Sequence, residues 1–216
     1  MAITLREFVD ERTEEVDQTD FVDLVVPGVQ HARGVRALVR ENAASIGGDF
    51  PYVVDRYNQS LLSVARRMRA IRPIARVVVK GSTYVGVPCS LSQPIGMLTL
   101  VPGGMYDVPE THDGVNFAVW LGSDHRNQGV ATRISSEFDQ LVNPNRTLWT
   151  VARPDNAPSV HWLAHIGMSA VGTPEMYEVG DGVSAKRQLY VAQAGDVAQT
   201  AGCYAELHYP VEVHPM

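Results

Sequence analysis

Residues 116–131, NFAVWLGSDHRNQGVA, begin as a strand and end as the start of a helix. Val115, Phe117, Val119 and Leu121 alternate with Asn116, Ala118 and Trp120, the period of two that suits a strand. Gly122 to Asn127 is polar, and after Gly129 the apolar residues Val130, Ile134, Phe138 and Leu141 recur at helical spacing. That spacing predicts one helix opening at Gly129. A helix start leaves its first backbone N–H groups without partners, and the helix dipole adds positive potential there. With Gly129 allowing close approach to the backbone, the loop reads as an anion site, for which a phosphate group is the usual occupant. An ordinary strand–turn–helix connection has the same outline, so the rest of the chain has to decide between the two.

The chain has 216 residues, of which 45% are hydrophobic. That suits one large domain, or one domain with additions. No stretch approaches the roughly 20 apolar residues that span a bilayer, and the N-terminal MAITLREFVDERTEE lacks the apolar centre of a signal peptide. Cys89 and Cys203 match no metal or redox spacing. The expectation is a reduced, cytoplasmic protein with no metal and no membrane partner. A net charge of −6 argues against nucleic acid as partner and is compatible with a cationic amine. The cluster Arg66, Arg67, Arg69 and Arg72 has no interleaved aromatics. It reads as a solvated helix end that suits the dipole, with a contact to a phosphate group of a bound cofactor or to an acidic partner as the sharper alternatives.

Residues 1–20 carry seven acids and read as an acidic surface lead-in. FVDLVV (21–26) is a first strand, stopped by Pro27-Gly28. Helices follow at Val29–Ile46, stopped by Gly47-Gly48, and at about Pro51–Ile71, stopped before Pro73. Strands are expected at 75–79 and 95–101, then at 115–121, then at 147–152. A short helix spans about Pro158–His165. A terminal strand pair, 176–180 and 186–192, flanks the hairpin VGDGVSAK. The order is β-α-α-β-β-β-α-β-α-β-β over residues 1–192, without repeat or linker. Residues 193–216 lie beyond this pattern. HYPVEV near their end reads equally as an added edge strand or as a dimer arm, which leaves a homodimer open.

A second motif lies at Arg153-Pro154-Asp155-Asn156-Ala157-Pro158-Ser159, followed by Leu163 and Gly167-Met168. With Arg126-Asn127-Gln128-Gly129-Val130-Ala131 and the element order, it resembles the GCN5-related N-acetyltransferase (GNAT) family. The first motif matches that family's Arg/Gln-x-x-Gly-x-Gly/Ala loop, which holds the pyrophosphate of acetyl-coenzyme A. Many members carry a Tyr as general acid where this chain has Leu163. The pattern with Ser159, Leu163, Gly167 and Gly172 is closest to the ribosomal-protein N-terminal acetyltransferase branch. The resemblance covers about residues 75–192. It implies an α/β (α+β) fold with a mixed, mostly antiparallel central sheet flanked by helices. It further implies an acyltransferase that moves an acetyl group from acetyl-CoA to a primary amine, by direct attack in a ternary complex and without metal.

The residues this implicates fall into two sets. Val119, Trp120, Leu121, Arg126, Asn127, Gln128, Gly129, Val130, Ala131, Asn156 and Ser159 would hold the cofactor. Ser159 is also the candidate acid and Glu178 the candidate base. Each has a plainer role. Trp120 fits core packing as well as a cofactor slot, and Ser159 or Asn156 fits a helix cap. Glu178 fits an exposed strand. Glu110, His112, Asp113 and His125 are other available bases, while His161 and His165 at spacing four are weak evidence for metal. A peptide α-amine with a pKa of about 7.7–8.0 costs only about 1 kcal/mol to deprotonate at neutral pH. A lysine costs about 4–5 kcal/mol, so a weakly placed base favours α-amines. The variable loops at Gly47-Gly48 and 179–186 are expected to shape the acceptor side. A non-catalytic acyl-CoA-binding protein on the same fold is the alternative that Leu163 keeps open.

Overall fold

The computed structural model of the protein describes residues 18–72, 74–84, 87–88, 93–103, 113–178 and 184–208. Its strands are β1 (Gln18–Val25), β2 (Ala75–Tyr84), β3 (Val87–Pro88), β4 (Gln93–Pro102), β5 (Val115–Leu121), β6 (Thr147–Ala152), β7 (Ser169–Glu178) and β8 (Ser184–Gln193). They form one sheet in the order β1-β2-β4-β5-β6-β8-β7, with β3 paired to β2. Every pairing is antiparallel except β5 with β6.

The strand alternation read in the sequence separates two cores. Val115, Phe117 and Leu121 join Leu98, Leu100, Leu148, Leu163 and Val197 on one face. Trp120 joins Val77, Met97, Val35, Val64 and Met68 on the other. The first face is covered by α5 (Val130–Ser135), α6 (Phe138–Leu141), α7 (Ala157–His165) and α8 (Ala194–His208), the second by α1 (Ala32–Glu41), α3 (Pro51–Tyr57) and α4 (Leu61–Ala70). Gly96 lets the two central strands meet, since a Cβ there would collide with the Trp120 carbonyl.

Three helices expected as continuous are broken, each at polar side chains that take up backbone groups. The one at 29–46 becomes a 3-10 turn (29–31), then α1, then α2 (Ala43–Gly47). Its break is at Asn42, whose Nδ2 donates to the Leu38 carbonyl at 2.9 Å while Oδ1 accepts from the Ser123 N–H at 2.6 Å. The one at 51–71 divides into α3 and α4 because Ser60 caps α4, accepting from the Ser63 N–H. The one opening at Gly129 ends after six residues and resumes as α6. Hydroxyls compete for the carbonyls there: Ser135 donates to Ala131 O at 2.9 Å and Ser136 to Arg133 O at 2.7 Å.

Other boundaries also moved. β1 starts at Gln18, so Gln18–Asp20 belong to the sheet and not to the lead-in; residues 1–17 lie outside the described residues. β4 starts at Gln93, so Pro94, just before the strand expected at 95–101, lies within it. Residues 194–208 form α8, which packs on α5 and α6, and HYPVEV from 209 onward lies outside the described residues. No helix among the described residues is long and apolar enough to cross a membrane.

Candidate active site

The site exists because β5 is paired unequally on its two sides. Its ladder with β4 runs from Gly96↔Leu121 to Pro102↔Val115, whereas its ladder with β6 has only Val115↔Leu148 and Asn116↔Trp149. Asn116 Nδ2 donates to the Trp149 carbonyl at 3.3 Å, at the last paired position. Beyond it the strands splay. Backbone groups of successive residues point to opposite sides of a strand, so alternate N–H and C=O groups of Phe117–Leu121 face the opening.

Two cavities occupy that opening. The larger, of about 620 Å³, runs past Val119, Trp120 and Leu121 to the loop residues Arg126, Asn127, Gly129, Val130 and Ala131. The smaller, of about 50 Å³, is wedged between Phe117–Val119 and Thr150–Arg153. They share Asp49, Phe50, Val119, Arg153, Asn156, Ser159 and Trp162. Trp120 both packs in the core and lines the larger cavity.

A 3-10 turn at Ser123–His125 leads into the loop, which bends through Asn127 at φ 57° and Gly129 at φ 71°. Both are left-handed conformations, which Gly adopts freely and Asn tolerates. No side chain caps α5, so the first-turn amides are left for a ligand. Arg126 holds the loop's shape: its Nε and Nη2 both donate to the Leu121 carbonyl at 3.0 Å, and Nη2 also reaches Ser45 Oγ at 3.2 Å. Gln128 turns away, its Nε2 donating to the Asp124 carbonyl at 2.7 Å, and it does not line the cavity.

On the far wall, Asn156 caps α7, its side chain accepting from the Ser159 N–H at 3.3 Å. Capping therefore falls to Asn156. Leu163 is 1% exposed and sits in the core, so its position supplies no acid. Further along α7 and α8, His161, His165 and Tyr204 complete the rim, with the His165 and Tyr204 rings edge to face at 3.7 Å. The buried Nε1 of Trp162 and Nε2 of His165 have no hydrogen-bond partner, although a buried polar group normally has one. A long ligand with phosphate at one end and polar groups along its length fits this wall, so the residues present suit acetyl-CoA.

Glu178 is not brought to the cleft. It is exposed at the end of β7, the edge strand, with β8 and β6 between it and β5, and it lines neither cavity. Asp113 is also exposed and outside both linings, while His125 lines the larger one. Glu110, His112 and residues 179–183 of the hairpin lie outside the described residues. Arg66, Arg67, Arg69 and Arg72 line neither cavity, and Arg72 Nε donates to the Pro27 carbonyl.

Sequence reasoning missed Asp49 and Arg187 and gave no role to Arg153, although it opens the second motif. The Asp49 carboxylate lies 3.0 Å from Arg153 Nε and 3.6 Å from Arg187 Nη1, and it accepts from Asn156 Nδ2 at 2.8 Å. The Arg153 contact is ionic, since its N–H is not aimed as a hydrogen bond. Arg187 was legible as an arginine inside an apolar strand, RQLYV, where a buried charge requires a partner. Asp49 follows the Gly47-Gly48 pair already read as an acceptor loop.

No family model matches this chain, and no curated protein matches it in sequence. Solved structures do match. RimJ of Mycobacterium smegmatis, in complex with a CoA disulfide, aligns with a TM-score of 0.60 at 18% identity, over 87% of this chain and 95% of that one. An acetyltransferase (GNAT family) from Bacillus anthracis aligns at 0.58 and 11%, over 83% and 98%. The microcin C7 self-immunity acetyltransferase MccE, in complex with acetyl-CoA and AMP, aligns at 0.58 and 14%, over 80% and 92%. At these identities the likeness is one of architecture, and by architecture this chain has the fold of the GNAT acetyltransferases.

Proposed function

We propose that the protein is an acetyl-CoA-dependent N-acetyltransferase acting on a primary amine, with peptide α-amines as the preferred class. The observation that carries the reading is the meeting of the two cavities at Ser159, at the splayed end of β5. The uncapped start of α5 would take the pyrophosphate. A backbone N–H among Val119–Leu121 would polarise the thioester carbonyl. Holding amine and thioester together contributes about 7–11 kcal/mol by effective molarity, the largest share of the acceleration.

The ammonium first gives a proton to water, which for an α-amine costs only about 1 kcal/mol at neutral pH, so no side-chain base in the cleft is required. A lysine would need one. The neutral nitrogen then bonds to the thioester carbon, the carbon–sulfur bond breaks, and the departing sulfur takes its proton from Ser159 Oγ. The second proton of the nitrogen passes through water to Ser159 and restores its hydroxyl.

The test is release of thiol from acetyl-CoA across a panel of amines, with peptide N-termini expected to exceed lysine side chains. Equal rates on lysine would remove the α-amine preference. Glu178→Gln completes it: a pH–rate profile level with the wild type is expected, and a selective loss at low pH would restore Glu178 as the base. The buried Leu163 supports a second reading, a non-catalytic acyl-CoA-binding protein. Binding of acetyl-CoA without turnover on any amine would establish it.

A further inference from the structure

Asp49 lies between α2 and α3, 107 residues from Asn156 and 138 from Arg187. It nevertheless touches both, and it lines both cavities. Resting on the function proposed above, we infer that Asp49 is a positioning residue that fixes Ser159 through the side chain of Asn156.

The inference follows from donor and acceptor identities. The Asn156 amide has nearly the same shape either way round, and only its partners decide which end is NH₂ and which is O. An ionised carboxylate accepts and cannot donate. Asp49 Oδ2, at 2.8 Å, therefore demands the NH₂ end. The oxygen is left facing the Ser159 N–H at 3.3 Å. Turned round, the amide would set its NH₂ against the Ser159 N–H and its oxygen against the Asp49 carboxylate. Asp49 is thus what makes the cap the right way round.

Asp49 is itself held from β8. Arg187 is 3% exposed, and its Nη1 lies 3.6 Å from the carboxylate while Nη2 donates to the Asp49 carbonyl at 3.4 Å. Arg153 adds its guanidinium at 3.0 Å. A buried guanidinium that loses its counter-charge is strongly disfavoured, so the loop is drawn to the sheet by side chain and backbone together. The wall that carries Phe50 is thereby tied to the residue proposed to protonate the leaving thiolate.

The test uses the full chain with Asp49→Asn, which is isosteric, and Asn156→Ser, which keeps a capping oxygen but breaks the link. Two readouts are taken: the ¹⁵N–¹H resonance of Ser159, which needs no turnover, and kcat with KM for acetyl-CoA. Asp49→Asn is expected to move the Ser159 resonance and to lower kcat about tenfold, within the coupling seen for groups in one network, with KM changed less than about twofold. In the Asn156→Ser background, Asp49→Asn is expected to change kcat no further. An unmoved Ser159 resonance, or a loss of kcat that is the same in both backgrounds, would overturn the inference. Should Asp49→Asn not fold, Arg153→Lys, which perturbs the same carboxylate from the half-exposed side, is read for the same resonance shift, and its absence overturns the inference equally. If the wild type turns over no amine, the proposed function fails, and the resonance still decides the role of Asp49.

Discussion

β5 has two borders, and they differ in kind. Toward β4 it is paired along its whole length, and toward β6 it is paired at two positions only. The closed border buries Leu98, Leu100, Phe117 and Trp120, and it makes the fold. The open border leaves backbone groups and cavities, and it makes the site. The lesson is that one strand supplies both by pairing fully on one side and stopping early on the other.

The largest effect is expected from a break in the closed border. Leu98 is fully buried, and Leu98→Ala should cost about 2–5 kcal/mol of stability. Denaturant unfolding would read this, while acetyl-CoA affinity of the folded fraction stays near the wild type. The reverse pattern is expected at the open border. Gly129→Pro removes an N–H and imposes a φ near −65° in place of 71°, so the loop must give up the path that presents its amides. Calorimetry should show acetyl-CoA affinity lower by about a hundredfold, with the melting temperature changed little. Unchanged affinity would remove the loop from the cofactor site.

Ser159→Ala sharpens the contrast within the open side. Because Asn156 is the cap, the variant should keep its stability within about 0.5 kcal/mol, while kcat falls about tenfold to a hundredfold, at or below the low end of general acid effects. A loss of stability with kcat intact would make Ser159 structural only. The smallest effect concerns Glu137, between α5 and α6 and away from both cavities. Burial pushes its carboxyl upward, helped by Asp23 and opposed by Arg133. A raised carboxyl favours folding below the ordinary carboxylate range, and that stability is lost as pH rises through the shifted value. Glu137→Gln should therefore gain melting temperature relative to the wild type between pH 4 and pH 7. A constant difference across that range would show that burial does not act on this group.

What the sequence made legible follows the range of the forces involved. β5 and β6 matched their expected limits because strand alternation and apolar runs are local signals. The loop from Arg126 to Ala131 was legible for the same reason: a glycine between a strand and a helix is a local pattern. The helix breaks at Asn42 and at 58–60 were not, since Asn42 is anchored partly by Ser123, 81 residues away, and Asn58 by Arg40. Glu178 was read by distance along the chain, but the sheet order sets two strands between β7 and the opening. Tyr204 comes from α8, beyond the pattern that guided the reading. Those contacts are made by folding and have no periodicity to reveal them.

The placement of the three tryptophans gives the molecule an optical reporter of its own. Trp120 and Trp162 line the larger cavity, whereas Trp149, on β6, is fully buried against Leu189 of β8. Emission from the first two should respond when a ligand displaces water from the cleft, against a constant background from the third. Trp162, whose indole N–H has no partner, should shift most. Filling of the cleft could then be followed by fluorescence in unlabelled protein, with Trp149 as the internal standard.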